Sequence, residues 1–175
     1  MLLNSLAKEN EVTVIYDAGV APGIPNFILG DLNKDQKVVS FQYFVGGLPM
    51  EPAPPYNYKA PFSPIDVIEE YTRPARIMRN GKLITLPALS EIVEIEYNDV
   101  GKLEAFNSDG LRSILTTMSH IPNMLEKTLR YPGHADLIKR QLKTKRIQPG
   151  NEKSLEKLFG DCLLYTSPSP RDSTL

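Results

Sequence analysis

The chain has 175 residues, 41% of them hydrophobic and 23% charged, with a net charge of −1, enough for one domain with a core of its own. That balance gives no global pull toward nucleic acid or anionic lipid, and no apolar run approaches the roughly 20 residues of a membrane helix. The single cysteine, Cys162, excludes an internal disulfide framework and a cysteine metal cluster; with no basic leader in "MLLNSLAKENE", a reducing, cytoplasmic setting is expected.

In chain order, residues 2–8 read as the end of a helix and the β-branched run at residues 12–16 as a strand. A corner follows with Asp17, Gly19, Pro22 and Gly23, then a short helix over residues 24–32. Residues 37–45, "KVVSFQYFV", are β-branched and aromatic and predict a strand running into Gly46-Gly47. The proline-rich stretch at residues 49–62 lacks too many N–H donors for a central strand and reads as a long ordered loop. Ser63-Pro64 predicts a helix start, with Ser63 as N-cap, Asp66 in the first turn and an end before Pro74.

"ARIMRNGKLIT" predicts a hairpin about Asn80-Gly81, and "EIVEIEYNDVGKLEAFN" one or two further strands. Asp109-Gly110 would begin a helix through "DGLRSILTTM". "MLEKTLRY" fits strand or helix, and "GHADLIKRQLK" predicts a helix. Strands outnumber helices without strict alternation, so the expected class is α+β, with a mixed or largely antiparallel sheet covered by a few helices.

Several residue types could carry chemistry, each with a plain alternative. The corner at residues 17–23 could present unpaired N–H groups to an anion or be turn chemistry alone. Gly46-Gly47 allows close backbone approach to a ligand or a simple strand exit. Arg112 and Arg130 offer planar forks for carboxylates or surface ion pairs. His134 beside Arg130 and Tyr131 could move a proton near neutral pH or start a helix. The run "KRQLKTKR" at residues 139–146 could touch phosphate, but a solvated helix face with Leu142 inward explains it better. His120 and His134 are the only histidines and lie far apart, which gives no metal-ligand spacing. The sequence also contains no G-x-G-x-x-G, no phosphate-binding P-loop and no G-x-S-x-G elbow.

Six motifs in order, "DAGVAPGIPN", "VGGLP", "NYKAPFSPIDVIEEYTRPARIMRNGK", "PALSEIVEIE", "LEAFNSDGLRSIL" and "EKTLRYPGHADLI", resemble the C-terminal part of the saccharopine dehydrogenase family over about residues 10–142. The resemblance implies an NAD- or NADP-dependent oxidoreductase acting on the C–N bond of an amino acid of saccharopine or lysine type, by hydride transfer and imine hydrolysis. It further implies that residues 1–16 end a nucleotide-binding domain mostly absent here, and that residues 17–150 form the substrate domain. On this reading Arg112 and Arg130 clamp substrate carboxylates, and Asn107 and Asp109 position polar groups at the same rim. Asp17, Pro22, Gly23, Gly46 and Gly47 line the cleft, with Pro22 and Gly23 nearest the cofactor. His134, and less so Tyr71, would relay protons.

A homodimer acting on a small amino-acid substrate is expected, without nucleic acid, membrane or metal, and the 175 residues alone are expected to hold no NAD and to be inactive. A non-catalytic small-molecule-binding or oligomerisation module is the alternative. Residues 151–163 are expected to be a truncated end. Residues 164–175, containing "YTSPSPRD", resemble translated sequencing-adapter DNA and are expected to form a disordered, artefactual tail.

Overall fold

The computed structural model describes residues 4–150 apart from residues 53 and 61. The expectations for residues 151–175 lie outside the described residues. The elements, in chain order, are α1 (Asn4–Glu9), α2 (Ile24–Asp35), β1 (Ser40–Val45), α3 (Pro64–Thr72), β2 (Ala75–Arg79) and β3 (Lys82–Leu86). They continue with β4 (Val93–Tyr97), β5 (Gly101–Asn107), α4 (Ile114–Thr117), β6 (Asn123–Arg130) and α5 (His134–Lys143).

The six strands form one mixed, largely antiparallel sheet, and the fold is α+β as expected. Strand β6 is its hub. It runs parallel to β1 from Ser40↔Asn123 to Val45↔Thr128. It is antiparallel to β5 from Glu104↔Arg130 to Asn107↔Lys127, and meets β2 at Met78↔Met124. β3 pairs with β2 and β4 with β5. Three strands on one strand explain why β6 is buried along most of its length.

Two apolar clusters flank this hub. One gathers Tyr58, Val67, Ile68 and Tyr71 with Phe106, Ala135 and Ile138, fixing α3 and α5 over the sheet. The other joins Leu29 of α2 to Met78, Leu111, Ile114, Ile121 and Met124. On α5, Ala135 and Ile138 are buried and Leu142 packs against the first cluster, while Arg140 and Lys143, with Lys145 and Arg146 just beyond the helix, are exposed. The proline-rich loop is anchored, because Tyr56, Tyr58 and Ala60 sink into the core.

Local differences have physical reasons. Residues 12–16 form no strand and lie exposed, with Ile15 74% accessible; a β-branched run becomes a strand only where a neighbour completes its ladder. The helix expected from Asp109-Gly110 is confined to four residues, Ile114–Thr117. Arg76 holds Asp109, Asp17 accepts the Ser113 N–H, and Arg112 has a left-handed φ of 48°, which a right-handed helix excludes. Strand β1 begins at Ser40 rather than Lys37, α2 runs on to Asp35, and Ser63 precedes α3 without a side-chain cap bond. The hairpin at Asn80-Gly81 forms, "EIVEIEYNDVGKLEAFN" yields two strands, and "MLEKTLRY" resolves as strand.

Candidate functional site

One hollow of about 380 Å3 opens where β1, α3, the segment after β5 and β6 converge. Period-two alternation puts Glu126, Thr128 and Arg130 of β6 along its wall. Helix α3 supplies Asp66, Glu69 and Glu70, which helical spacing brings to one face, and its C-cap residue adds Arg73. The segment after β5 adds Ser108, Asp109, Gly110 and Arg112, while Pro22 and Gly46-Gly47 close the rim.

Most of these charges are already matched. Arg130 is 1% exposed; its Nη2 donates to Glu70 Oε1 at 2.5 Å and its Nη1 to the Leu129 carbonyl at 2.8 Å. Its guanidinium lies 4.2 Å from the Tyr58 ring centroid, a cation–π contact. Burial works against this charge, but Glu70, Tyr71 and Tyr58 hold it on and push the guanidinium pKa up. Burial likewise pushes Glu70 up, with Arg130 opposing. Arg73 pairs with Glu69. Asp109 is gripped from outside the hollow by Arg76, at 2.9 Å from Nε and 2.8 Å from Nη2. Arg112 is exposed and makes no ion pair among the described residues.

Glu126 is 2% exposed. Its Oε2 accepts from Ser108 Oγ at 2.7 Å and from the Gly110 N–H at 3.1 Å, whereas Oε1 takes no hydrogen bond among the described residues. Burial raises its pKa to about 7; the Ser108 bond opposes that, the nearby Glu70 charge adds to it, the Gly110 N–H opposes it, and Asp109 adds to it. A Cβ on residue 110 would lie 2.7 Å from the Glu126 carboxyl carbon, so only glycine there leaves the carboxylate its place.

The hollow therefore gathers Pro22, Gly46, Gly47, Asp109, Arg112 and Arg130 from the residues the sequence singles out. Asp17, Gly23, Asn107 and His134 do not line it. Asp17 Oδ2 instead accepts the Ser113 N–H at 2.9 Å, pinning the residue after Arg112. Asn107 Nδ2 donates to Ser90 Oγ and Glu91 Oε2, both at 3.1 Å, fixing the segment before β4. Gly23 has φ 154°, and a Cβ there would sit 1.8 Å from the Gly19 carbonyl oxygen; its missing side chain serves the corner itself. A Cβ on Gly46 would lie 3.0 Å from Leu129 Cβ, so that approach is to β6.

His134 is 1% exposed, with Nδ1 2.8 Å from the Tyr56 carbonyl and Nε2 2.9 Å from Tyr71 Oη. A carbonyl only accepts, so Nδ1 carries the proton and Nε2 receives the Tyr71 hydroxyl. Burial, and then the Arg130 charge, lower the imidazole pKa to about 3, against the Tyr56 bond. His134 and Tyr71, expected to relay protons, form in this geometry a neutral buried pair outside the hollow's lining.

Sequence reading passed over Glu126, Glu70 and Arg73. The 66/69/70/73 spacing on "SPIDVIEEYTR" marks one helical face, and 126/128/130 marks one strand face only once "MLEKTLRY" is a strand. The described residues do not make a dinucleotide cradle: Gly23 packs into its own corner, and the sequence carries no glycine-rich phosphate loop. Among the described residues no group of three or more histidine, cysteine, aspartate or glutamate side chains is placed to hold a metal ion.

The profile of the saccharopine dehydrogenase C-terminal domain matches residues 19–169. The chain belongs to the saccharopine dehydrogenase C-terminal domain family. It is 28% identical over 140 residues to alpha-aminoadipic semialdehyde synthase, mitochondrial, of Mus musculus, covering 71% of this chain and 15% of that protein. The Bos taurus protein of the same name is 27% identical over 148 residues, or 76% and 16% of the two chains. This saccharopine dehydrogenase C-terminal domain thus spans about 15% of the length of those curated relatives. Its fold is similar to apo saccharopine dehydrogenase (L-Glu forming) from Saccharomyces cerevisiae, with a TM-score of 0.55 and 19% identity over 88% of this chain and 43% of that one.

Proposed function

We propose that the hollow binds the amino-acid substrate of an oxidoreductase acting on a C–N bond, with saccharopine or lysine as the substrate type. One observation carries this reading. Of eight charged side chains in the lining, Arg130 and Glu70 form one ion pair, Arg73 and Glu69 another, and Asp109 is held by Arg76. Left without an ion-pair partner among the described residues are one cation, Arg112, and two acids, Asp66 and Glu126. An α-amino acid carries one carboxylate for such a cation and one ammonium for such an acid. In this proposal Arg112 is the carboxylate clamp, and Arg130 shapes the wall from its buried pair with Glu70.

The family and the names of the relatives support an enzyme in which hydride passes between the substrate and NAD or NADP. Since the described residues form no cradle for that cofactor, the proposal routes no step through it and expects the 175-residue chain alone to leave NAD and NADP unreduced. A homodimer and a cytoplasmic location belong to the same reading; sedimentation and cell fractionation measure them. No helix among the described residues is long and apolar enough to cross a membrane.

The test is calorimetry with saccharopine on the chain and on Arg112→Ala. The variant should bind at least tenfold more weakly, about 1.4 kcal/mol or more. Equal binding by both proteins removes Arg112 from the site, and no binding to the wild type removes the reading. In the whole protein, saccharopine or lysine with NAD or NADP should produce reduced-cofactor absorbance.

A further inference from the structure

We infer that Glu126 is the carboxylate that receives the ligand's amino group, and that its carboxyl proton passes to solvent when an ammonium group binds beside it. This rests on the reading of the hollow as an amino-acid site. The geometry has three parts. Glu126 lines the hollow while its residue is almost wholly shielded from solvent. Its Oε2 is fixed by Ser108 Oγ and the Gly110 N–H, which leaves Oε1 to take a donor from a ligand. Gly110 has no side chain exactly where one would displace that carboxyl group, with the closest approach at 2.7 Å.

A buried carboxylate with two donors on one oxygen and none on the other is set up to recognise a donor-rich cation. The groups around it leave that position to the ligand. From α3, Glu70 faces it but is committed to Arg130. From the segment after β5, Asp109 faces it but is committed to Arg76. From β1, the Tyr43 hydroxyl feels its charge but donates to the Gly110 carbonyl at 2.8 Å. Beside it on β6, Lys127 feels the Glu126 charge but points its ammonium to the Glu91 carbonyl. Asp17 and Arg112 act on the same neighbourhood through Tyr43.

With two acids nearby and no free cation against Oε1, the carboxyl group keeps a proton in the empty hollow near neutral pH, in line with its raised pKa. An incoming ammonium, already charged at that pH, favours the carboxylate. The O–H bond of Glu126 breaks, its proton goes to buffer, and the ammonium hydrogen-bonds to Oε1. No electrons move.

The experiment is calorimetry of saccharopine binding to the 175-residue chain at pH 6.5, in buffers of low and high ionisation enthalpy. The expected result is release of most of one proton per ligand bound. Glutarate, which has two carboxylates and no amine, should bind through Arg112 with no proton release. Glu126→Gln should abolish the release and weaken saccharopine about tenfold while leaving glutarate unchanged, and Gly110→Ala should do the same by displacing the carboxyl group. The wild-type buffer comparison needs no variant to fold. Saccharopine binding without proton release overturns this inference alone, as does release that persists in a folded Glu126→Gln. No saccharopine binding by the wild type overturns the reading of the hollow and this inference with it.

Discussion

Asp109 and Arg76 meet at three points: Oδ1 accepts from the Arg76 backbone N–H at 3.1 Å and from Nε at 2.9 Å, and Oδ2 accepts from Nη2 at 2.8 Å. The Asp109 side chain is 4% exposed and that of Arg76 43%. Arg76→Ala therefore strands a buried carboxylate on one backbone donor, while the arginine itself loses little by leaving a half-open position. The variant should be less stable by about 1–3 kcal/mol in urea unfolding. Arg76→Lys, which cannot make the two-pronged contact, should recover less than half of that loss. A midpoint unchanged by Arg76→Ala would show that the pair does not hold the segment leading to Arg112.

The start of α5 is tied to β5 by one carboxylate. Glu104 Oε2 accepts the Gly133 N–H at 2.9 Å, and Oε1 accepts the Ala135 N–H at 2.5 Å. Gly133 contributes no side-chain cap, so Glu104 does from across the sheet what an N-cap residue usually does locally. Glu104→Ala should cost about 2–4 kcal/mol by chemical denaturation, because both donors then lose their acceptor, the Ala135 N–H in a buried setting. Glu104→Gln keeps one accepting oxygen and should cost roughly half as much. Equal stability of all three proteins would show that solvent replaces the cap.

Glu126 and His134 bend the pH dependence of stability in opposite directions. The Glu126 pKa rises on folding from 4.5 to about 7, so its contribution is full below pH 4.5 and is lost as pH climbs through 7. The His134 pKa falls on folding from 6.5 to about 3, so its contribution is full above pH 6.5 and is lost as pH drops through 3. At about 1.4 kcal/mol for each pH unit crossed, the two slopes cancel between roughly pH 4.5 and 6.5. Urea-unfolding free energies should then rise with pH below that plateau and fall just above it. Glu126→Gln should remove the fall and leave a curve that rises up to pH 6.5. His134→Gln should leave a curve that falls from pH 4.5 to 7. A variant curve with the wild-type shape would mean that the residue replaced does not titrate in that window.

Much of this architecture is legible in residue order. "RNGK" between two apolar runs dictates a hairpin, and "SFQYFV" is strand by side-chain type. What failed to be legible depended on contacts distant in sequence. Residues 12–16 have strand composition, but no neighbour pairs with them. "DGLRSIL" has helical spacing, but Arg76, 33 residues away from Asp109, and Asp17, 96 residues away from Ser113, hold its first residues out of the helix. At the hollow, arginine type alone singles out Arg112 and Arg130 equally. Only packing distinguishes the one committed to Glu70 from the one without an ion pair.

Arg112 lies in the left-handed region at φ 48° on the rim of the hollow, a conformation that costs a non-glycine residue about 1–2 kcal/mol. Glycine meets no such penalty but loses more freedom on folding. Arg112→Gly should thus leave stability within about 1 kcal/mol of the wild type, while saccharopine binding weakens as it does in Arg112→Ala. Arg112→Val places a β-branched side chain in the same backbone region and should cost about 1–2 kcal/mol more than glycine. Thermal unfolding of the three proteins measures the backbone effect, and calorimetry measures the loss of the guanidinium. Stability that ranks valine at or above glycine would mean that the segment relaxes out of the left-handed region. In that event the guanidinium would no longer be held at the rim by its backbone.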